Sequence, residues 1–596
     1  MDNQRNLILA VALSAVLLFG WDAFSRWYFP QPAQPVAVEA APSASSSSAE
    51  DEKLRHSRTN REGGLHDAGD IALERKELAT ELAAADRVAI KAPAVSGSIN
   101  PAGARIDDLT LNRHTQGIEK GSGPVRLFSP AGTPAQYFAQ FGFVGEGGGV
   151  KLPDARTVWQ ASGGPLAPGK PVTLSWDNGE GQLFAIKFAV DGNYMITAEQ
   201  SVTNRGANPV VVRPFALVNR TSKTASGDTW NVHSGPIGAF DGAVDFGVDY
   251  DDVAKTGKVA PTGRADWLGF TDIYWLSALV PQQGQRADAD FRSLGNESFR
   301  ADLIYQPLTV GPGQQATRST RLFAGAKENR VLADYESAGI PNFSRAIDWG
   351  WFEILEKPIL WLLQHLFALV GNFGVAIMLL TVIIRGLMFP VAQRQFASMA
   401  GMRAVQPKMK AIQERYKDDK QKQQQEIMAL YKKEGVNPLA GCLPLLLQIP
   451  IFFALYKCLI LTIEMRHQPF VLWIKDLSAP DPLHILNLFG LLPFDVPSFL
   501  AIGPLALLLG LTMFLQFKLN PAQTDPVQQQ MFMIMPWVLM FVMAPFAAGL
   551  LLYWCTSNLL TIAQQAYLYS RHPQLKAQAD KDKLDQDRAK ARGNNG

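Results

Sequence analysis

The chain has 596 residues, a formal net charge of +2 and only three cysteines. That length allows several domains, and the near-neutral balance excludes a global electrostatic footprint for nucleic acid. Cys442, Cys458 and Cys555 all fall in apolar runs, so the polar half has no disulfide framework. P-loop, HExxH, GxSxG and CxxC patterns are missing from the sequence, which leaves ATP-driven chemistry and zinc hydrolysis without support.

The opening stretch, 1–29, carries Arg5 ahead of an apolar run from Leu7 to Trp21, then Trp27, Tyr28 and Phe29 at an interfacial position. A cleaved signal peptide and an uncleaved signal anchor both fit this pattern. The run exceeds a usual h-region and no small-x-small site follows directly, which favours the anchor. Residues 30–86 are rich in Pro, Ala and Ser and then in charge, a composition that cannot bury a core. They are expected to form a disordered external linker, with a transient helix over Leu73–Ala84.

From 87 to 325 the pattern becomes period-two. Phe184, Ile186, Phe188 and Val190 alternate with Ala185, Lys187 and Ala189, and Asp191-Gly192-Asn193 signals a hairpin. Many short strands with few helical stretches predict a large antiparallel sandwich. Trp267, Asp272, Tyr274 and Trp275 suit either an aromatic core or the lining of a groove, the core being favoured.

Residues 326–372 hold a linker and an amphipathic helix over Pro341–Val370, read as lying on the outer membrane surface. Gly371-Asn372-Phe373-Gly374 breaks it and leads into GVAIMLLTVIIRGLMFP, a short apolar helix carrying Arg385. A basic side chain at that depth costs about 2.5–3.5 kcal/mol on insertion scales. It either snorkels to the headgroups or faces a wet cavity. Thr381, four residues earlier, shares its face.

The stretch 391–437 is polar and helical, with ten Lys/Arg against five Asp/Glu, which marks it cytoplasmic. Two apolar stripes, one from Met399 to Tyr416 and one from Ile427 to Tyr431, predict an antiparallel helical hairpin. Its basic face suits anionic lipid, ribosomal RNA or another protein equally. Further spans follow at 439–463 and 498–517. The apolar stretch 531–567 is too long for one helix and is divided at Ala544-Pro545-Phe546. Leu483–Leu492, in the outer loop, is too short to span. The helical core thus covers 373–570, and a charged tail occupies 571–596. Six spans put both ends and the basic hairpin inside and the β domain outside.

Three features are unusual for a simple bundle. Arg385 and Thr381 lie on the first core span, Gln448 lies among prolines on the second, and Asn558, Thr561 and Gln565 form a stripe on the last, with Trp554 one turn above. Polar groups in such helices serve as interhelical glue or line a groove. No acidic residue lies near mid-depth to pair with Arg385, which favours the groove. A cationic cavity without nucleophile, metal set or nucleotide site points to binding and passage. The alternatives are a solute transporter with a sugar-binding external domain and an anchored carbohydrate enzyme. The first lacks an inverted repeat, and the second lacks paired catalytic carboxylates.

The segments TVIIRGLMFP, SMAGMRAVQPKMKAI, LYKKEGVNPLAGCLPLLLQIPIFFALY, PFVLWIKDLSAPDP, TDPVQQQMFMIMP and GLLLYWCTSNLLTIAQQ resemble the YidC/Oxa/Alb family of membrane protein insertases. The resemblance implies a multidomain protein of the bacterial inner membrane. Its parts would be an α-helical polytopic bundle of six transmembrane helices and an all-β periplasmic β-supersandwich, without catalysis or cofactors. It also implies a cytoplasm-open hydrophilic groove around Arg385 and Thr381. Gln448, Tyr553, Trp554, Asn558, Thr561 and Gln565 would line that groove. Pro450, Phe452, Phe453, Met535 and Phe541 would form an apolar slide for the substrate. The implied partners are nascent membrane proteins, the SecYEG and SecDF translocon components, the ribosome at the hairpin and tail, and the lipid bilayer. Tyr553-Trp554 stands where the family often has Tyr-Tyr. Lys457 replaces a commonly uncharged residue, and Leu483–Pro497 looks like an insertion relative to shorter members.

Overall fold

A computed structural model of the chain describes residues 63–571 apart from 85, 120, 146–149, 228–231, 394–404, 406–407, 410, 418, 435–442, 490, 493–495, 497–499 and 520–525. The anchor expected over 1–29, the early linker and the tail beyond 571 lie outside the described residues.

Between Val88 and Ala326 the period-two pattern becomes two antiparallel sheets, of ten and nine strands. The strand Gln182–Val190 buries alternate residues and pairs with Met195–Asn204, Val190 opposite Ile196. The hairpin between them is fixed by Asp191, whose Oδ1 accepts from the Asn193 amide at 2.8 Å and the Met195 amide at 3.1 Å. The inward Phe184 and Phe188 meet Phe143 and Phe141 of the other sheet, with ring centres 5.0 and 5.5 Å apart. Each ring removed from water contributes about 1.5–3 kcal/mol. Trp267, Asp272, Tyr274 and Trp275 are all buried in this core. The Trp267 indole donates to the Pro341 carbonyl at 3.0 Å, and the Asp272 carboxylate pairs with Arg220 at 2.7 Å. Core, not groove, is their place.

Part of the stretch expected to be linker is ordered. Ala68–Leu82 is a helix capped by Asp67 and docked on the sandwich. Lys223 pairs with its Asp70 at 2.9 Å, and its Glu74 accepts from the Ala135 amide at 2.8 Å. The sequence window is too polar to signal a core, and polar anchors to the β domain hold it instead.

The amphipathic helix is shorter than expected and spans Glu353–Val370. Residues 341–352 form two 3-10 turns, Phe343–Ala346 and Gly350–Phe352. Gly350 and the Lys457 amine meet at this point. The amine donates to the Asp348 carbonyl at 2.9 Å, and a Cβ on Gly350, whose φ is +64°, would lie 2.7 Å from that amine. Gly371, at φ +68°, ends the helix, and Asn372 caps the next one by accepting from the Val375 amide at 3.1 Å.

Five further helices follow the expected order: Phe373–Leu387, Leu443–Leu461, Pro504–Leu519, Pro526–Met543 and Ala548–Arg571. The long apolar run divides between Met543 and Ala548, at the expected proline. Among the described residues no helix is long and apolar enough to cross a membrane. Ala548–Arg571, the longest, is interrupted by its polar stripe. The hairpin is described in part. Lys408 pairs with Glu434 at 2.7 Å, the Tyr431 hydroxyl meets Met409 Sδ at 3.0 Å, and Gln423 Nε2 donates to the Gln413 carbonyl at 3.0 Å. Those cross-links run antiparallel. Met399 and Met402 lie outside the described residues.

On the helix Glu353–Val370, Glu356 faces inward beside Leu360 and Leu363, and its side chain is fully buried. Neither carboxyl oxygen has a hydrogen-bond partner among the described residues. Burial lifts its pKa from 4.5 to about 8, with Lys457 opposing. The folded state therefore keeps a proton that the unfolded chain loses above 4.5. Stability at this residue is full below that pH and declines until the folded group ionises near 8. Thermal unfolding in detergent should show a midpoint that falls across that window, with Glu356→Gln flattening the fall. Equal slopes for the two proteins would remove Glu356 as its cause.

Candidate functional site

Arg385 sits in the last turn of Phe373–Leu387, half-buried against Ala548–Arg571. Its Nε donates to Ser557 Oγ at 3.0 Å, and Nη2 donates to the same oxygen. Gln564 Nε2 reaches the Arg385 carbonyl at 3.3 Å. Among the described residues no carboxylate pairs with the guanidinium. A hydroxyl can orient a cation but cannot neutralise it. Thr381 is buried, and its hydroxyl donates to the Ile377 carbonyl of its own helix at 2.7 Å. It supports the helix behind Arg385 and makes no bond to the guanidinium.

The second wall is Leu443–Leu461. Gln448 Nε2 donates to the buried Tyr553 hydroxyl. Trp554 is half-buried with its ring 5.1 Å from Phe452, whose ring is 5.8 Å from Phe453. Phe453 stacks on Phe352 at 6.3 Å. Pro450, within the helix, is half-buried. A polar pair and an aromatic pair therefore join the second span to the last, one to two turns above Arg385.

The last helix presents its polar residues to two sides. Ser557 and Thr561 lie toward Arg385, with the Thr561 hydroxyl donating to the Ser557 carbonyl at 2.8 Å. Asn558 is buried on the other side, where Nδ2 donates to Thr512 Oγ1 of Pro504–Leu519 at 3.2 Å. Gln565, about two turns beyond Asn558, is half-buried. Half-buried Met535 and exposed Phe541 belong to Pro526–Met543, which packs on Pro504–Leu519, where Trp537 meets Phe514 at 5.9 Å. Ser557 is the residue that sequence reasoning passed over. Its signal was its spacing, four after Tyr553 and four before Thr561, which places all three on one helix face.

The loop after Leu461 covers the end of the bundle away from Arg385. Asn372 Nδ2 donates to the Phe470 carbonyl at 3.1 Å, and a Cβ on Gly374 would lie 2.1 Å from the Phe470 ring. The Ala548 and Gly549 amides donate to the Ala479 and Leu477 carbonyls at 2.7 and 2.9 Å. Buried Asp481 accepts from the Trp473 indole at 3.1 Å, the Leu483 amide at 3.2 Å and the Leu505 amide at 3.0 Å. The β domain rests on the same end, with Arg466 Nη1 donating to the Thr115 carbonyl at 2.9 Å and its guanidinium 5.3 Å from the Trp275 ring.

Two family descriptions match this chain: "YidC periplasmic domain" over residues 87–362 and "60Kd inner membrane protein" over 365–576. A membrane protein insertase YidC of Zymomonas mobilis is 45% identical over 575 residues, covering 96% of each chain. One from Beijerinckia indica is 42% identical, again over 96% of each, and one from Rickettsia prowazekii is 41% identical over 95% of this chain and 99% of its own. A solved YidC insertase structure, described as active and with its first transmembrane domain resolved, aligns over 80% of this chain and 92% of its own, at 20% identity and a TM-score of 0.36. With an antiparallel β domain ahead of a helical bundle, and relatives matched along nearly the whole length, the chain belongs to the YidC family of membrane protein insertases.

Proposed function

We propose that the chain moves nascent transmembrane segments from a hydrophilic, cytoplasm-open groove at Arg385 into the bilayer. The observation carrying this reading is a guanidinium held by a hydroxyl and left without a carboxylate among the described residues. In a half-dry site such a charge attracts the polar or acidic segment a client must carry across. The client's apolar helix then follows the aromatic contact of Phe452 and Trp554 toward lipid, driven by its own transfer out of water. The outer closure fits a groove that takes clients from one side only. Six spans, cytoplasmic termini and a ribosome contact at the basic hairpin belong to the same reading, as does work beside SecYEG and SecDF. The transporter alternative has no support in these relatives, which are named insertases.

Insertion assays in proteoliposomes test the charge. Arg385→Ala is expected to reduce insertion of clients with acidic translocated tails about tenfold more than neutral ones, the equivalent of about 1.4 kcal/mol. Arg385→Lys should keep most of that preference, and equal losses for both clients would sink the electrostatic account. Ser557→Ala leaves the charge but removes its holder, so a smaller loss of about two- to threefold is expected, with the preference for acidic tails retained. Cysteines at 452 and 554 should cross-link to arrested nascent chains. A cysteine at Asn558, which faces Thr512, should not, and adducts there with none at 452 or 554 would move the path to the other side of the last helix.

A further inference from the structure

The outer loop is inside-out relative to a water-facing loop. Asp476, Ser478, Asp481 and Asn487 are buried, whereas Leu472 is 85% and Leu491 81% exposed, and Leu486, Leu488, Phe489 and Leu492 are exposed as well. Leu472, Leu488 and Phe489 also adopt left-handed backbone conformations, at φ +56°, +51° and +60°. Bulky side chains rarely accept that region, and it costs of order 1 kcal/mol or more at each position. The backbone is thus bent to turn large apolar side chains outward. A loop built for water gains nothing from this arrangement.

The loop is continuous with an apolar helix face. The Ile485 amide donates to the Ile502 carbonyl at 3.0 Å, and Asp481 caps Pro504–Leu519 at the Leu505 amide. That helix exposes Leu507, Leu508, Leu511 and Leu515 along one stripe. Its sixteen residues give a length of about 24 Å, against the roughly 30 Å of a bilayer's hydrocarbon core. The Ile485–Ile502 bond and the Asp481 cap hold the loop at the helix's first turn, next to where that stripe begins.

We infer that the outer loop binds lipid through Leu472, Leu486, Leu488, Phe489, Leu491 and Leu492, which lie among the acyl chains of the outer leaflet and complete the apolar thickness that Pro504–Leu519 lacks. The inference rests on the membrane placement of that helix. The occupant is acyl chain, because the patch continues a helix face that carries no charged residue between Pro504 and Phe517.

Full-length protein with Cys442→Ser, carrying Leu491→Cys, Leu472→Cys or Leu511→Cys, is labelled with an environment-sensitive fluorophore and reconstituted into vesicles. The remaining cysteines, Cys458 and Cys555, are buried. Doxyl-labelled phosphatidylcholine and aqueous iodide serve as quenchers, and position 511 on the helix is the reference. Labels at 491 and 472 are expected to emit as in an apolar medium and to be quenched about twofold or more by shallow doxyl lipid, with little effect of iodide. Iodide quenching at 491 and 472, with lipid quenching at 511, would overturn the inference and leave the helix in the membrane. Shielding from both quenchers at 491 and 472 would mean a protein cover and would overturn it too. Loss of lipid quenching at all three positions would remove the membrane placement of the helix, and the inference with it.

Discussion

The bond from the Arg385 guanidinium to the Ser557 hydroxyl ties a cation to a dipole. The dipole fixes where the charge points and leaves it uncompensated. A full ion pair there would be quieter electrostatically and would offer nothing to a passing segment. A bare arginine in hydrocarbon would be expelled toward the headgroups. On the proposed reading, the site lies between these limits, wet enough to keep the charge and walled enough to keep its field strong. The surrounding arrangement fits that reading. Thr381 bonds to its own helix, Gln448 and Tyr553 bond to each other, and Asn558 turns away to Thr512. None of these groups carries a charge, so among them the guanidinium alone keeps a long-range field.

At the end of the bundle away from Arg385, the loop after Leu461 is bonded to the helices. Phe470 fills the space that Gly374 leaves, and the Leu477 and Ala479 carbonyls accept from the Gly549 and Ala548 amides. The β domain adds weight to the same end through Arg466, and Lys457 reaches Asp348 with its amine. The interfacial helix is held between these parts, with Glu356 turned inward against the second span. The end of the bundle away from Arg385 is therefore bonded crosswise.

Much of this was legible in the sequence. Strict alternation at Phe184–Val190 marked a strand, a proline within the final apolar run marked its division, and Gly371 marked a helix end. These signals are local, and the structure realises them locally. What was not legible depended on partners distant in sequence. The helix Ala68–Leu82 was expected only as a transient one over Leu73–Ala84, because the Lys223 pair and the Ala135 amide that dock it lie far away in sequence. The helix Glu353–Val370 starts later than expected, and just ahead of it the Asp348 carbonyl accepts from Lys457, more than a hundred residues away. The stripe read as Asn558, Thr561 and Gln565 mixed two faces, because three-residue and four-residue spacings are both helical. Only the neighbouring helices decide that Ser557 looks toward Arg385 and Asn558 away from it.

Asp481 holds an indole and two backbone amides, one on each side of the excursion between Leu483 and Leu505. Both ends of that excursion are pinned to a single carboxylate. Residues can be gained or lost there without shifting the start of the following helix. One carboxylate thus fixes the start of the helix Pro504–Leu519 relative to Leu483, whatever length of chain joins the two.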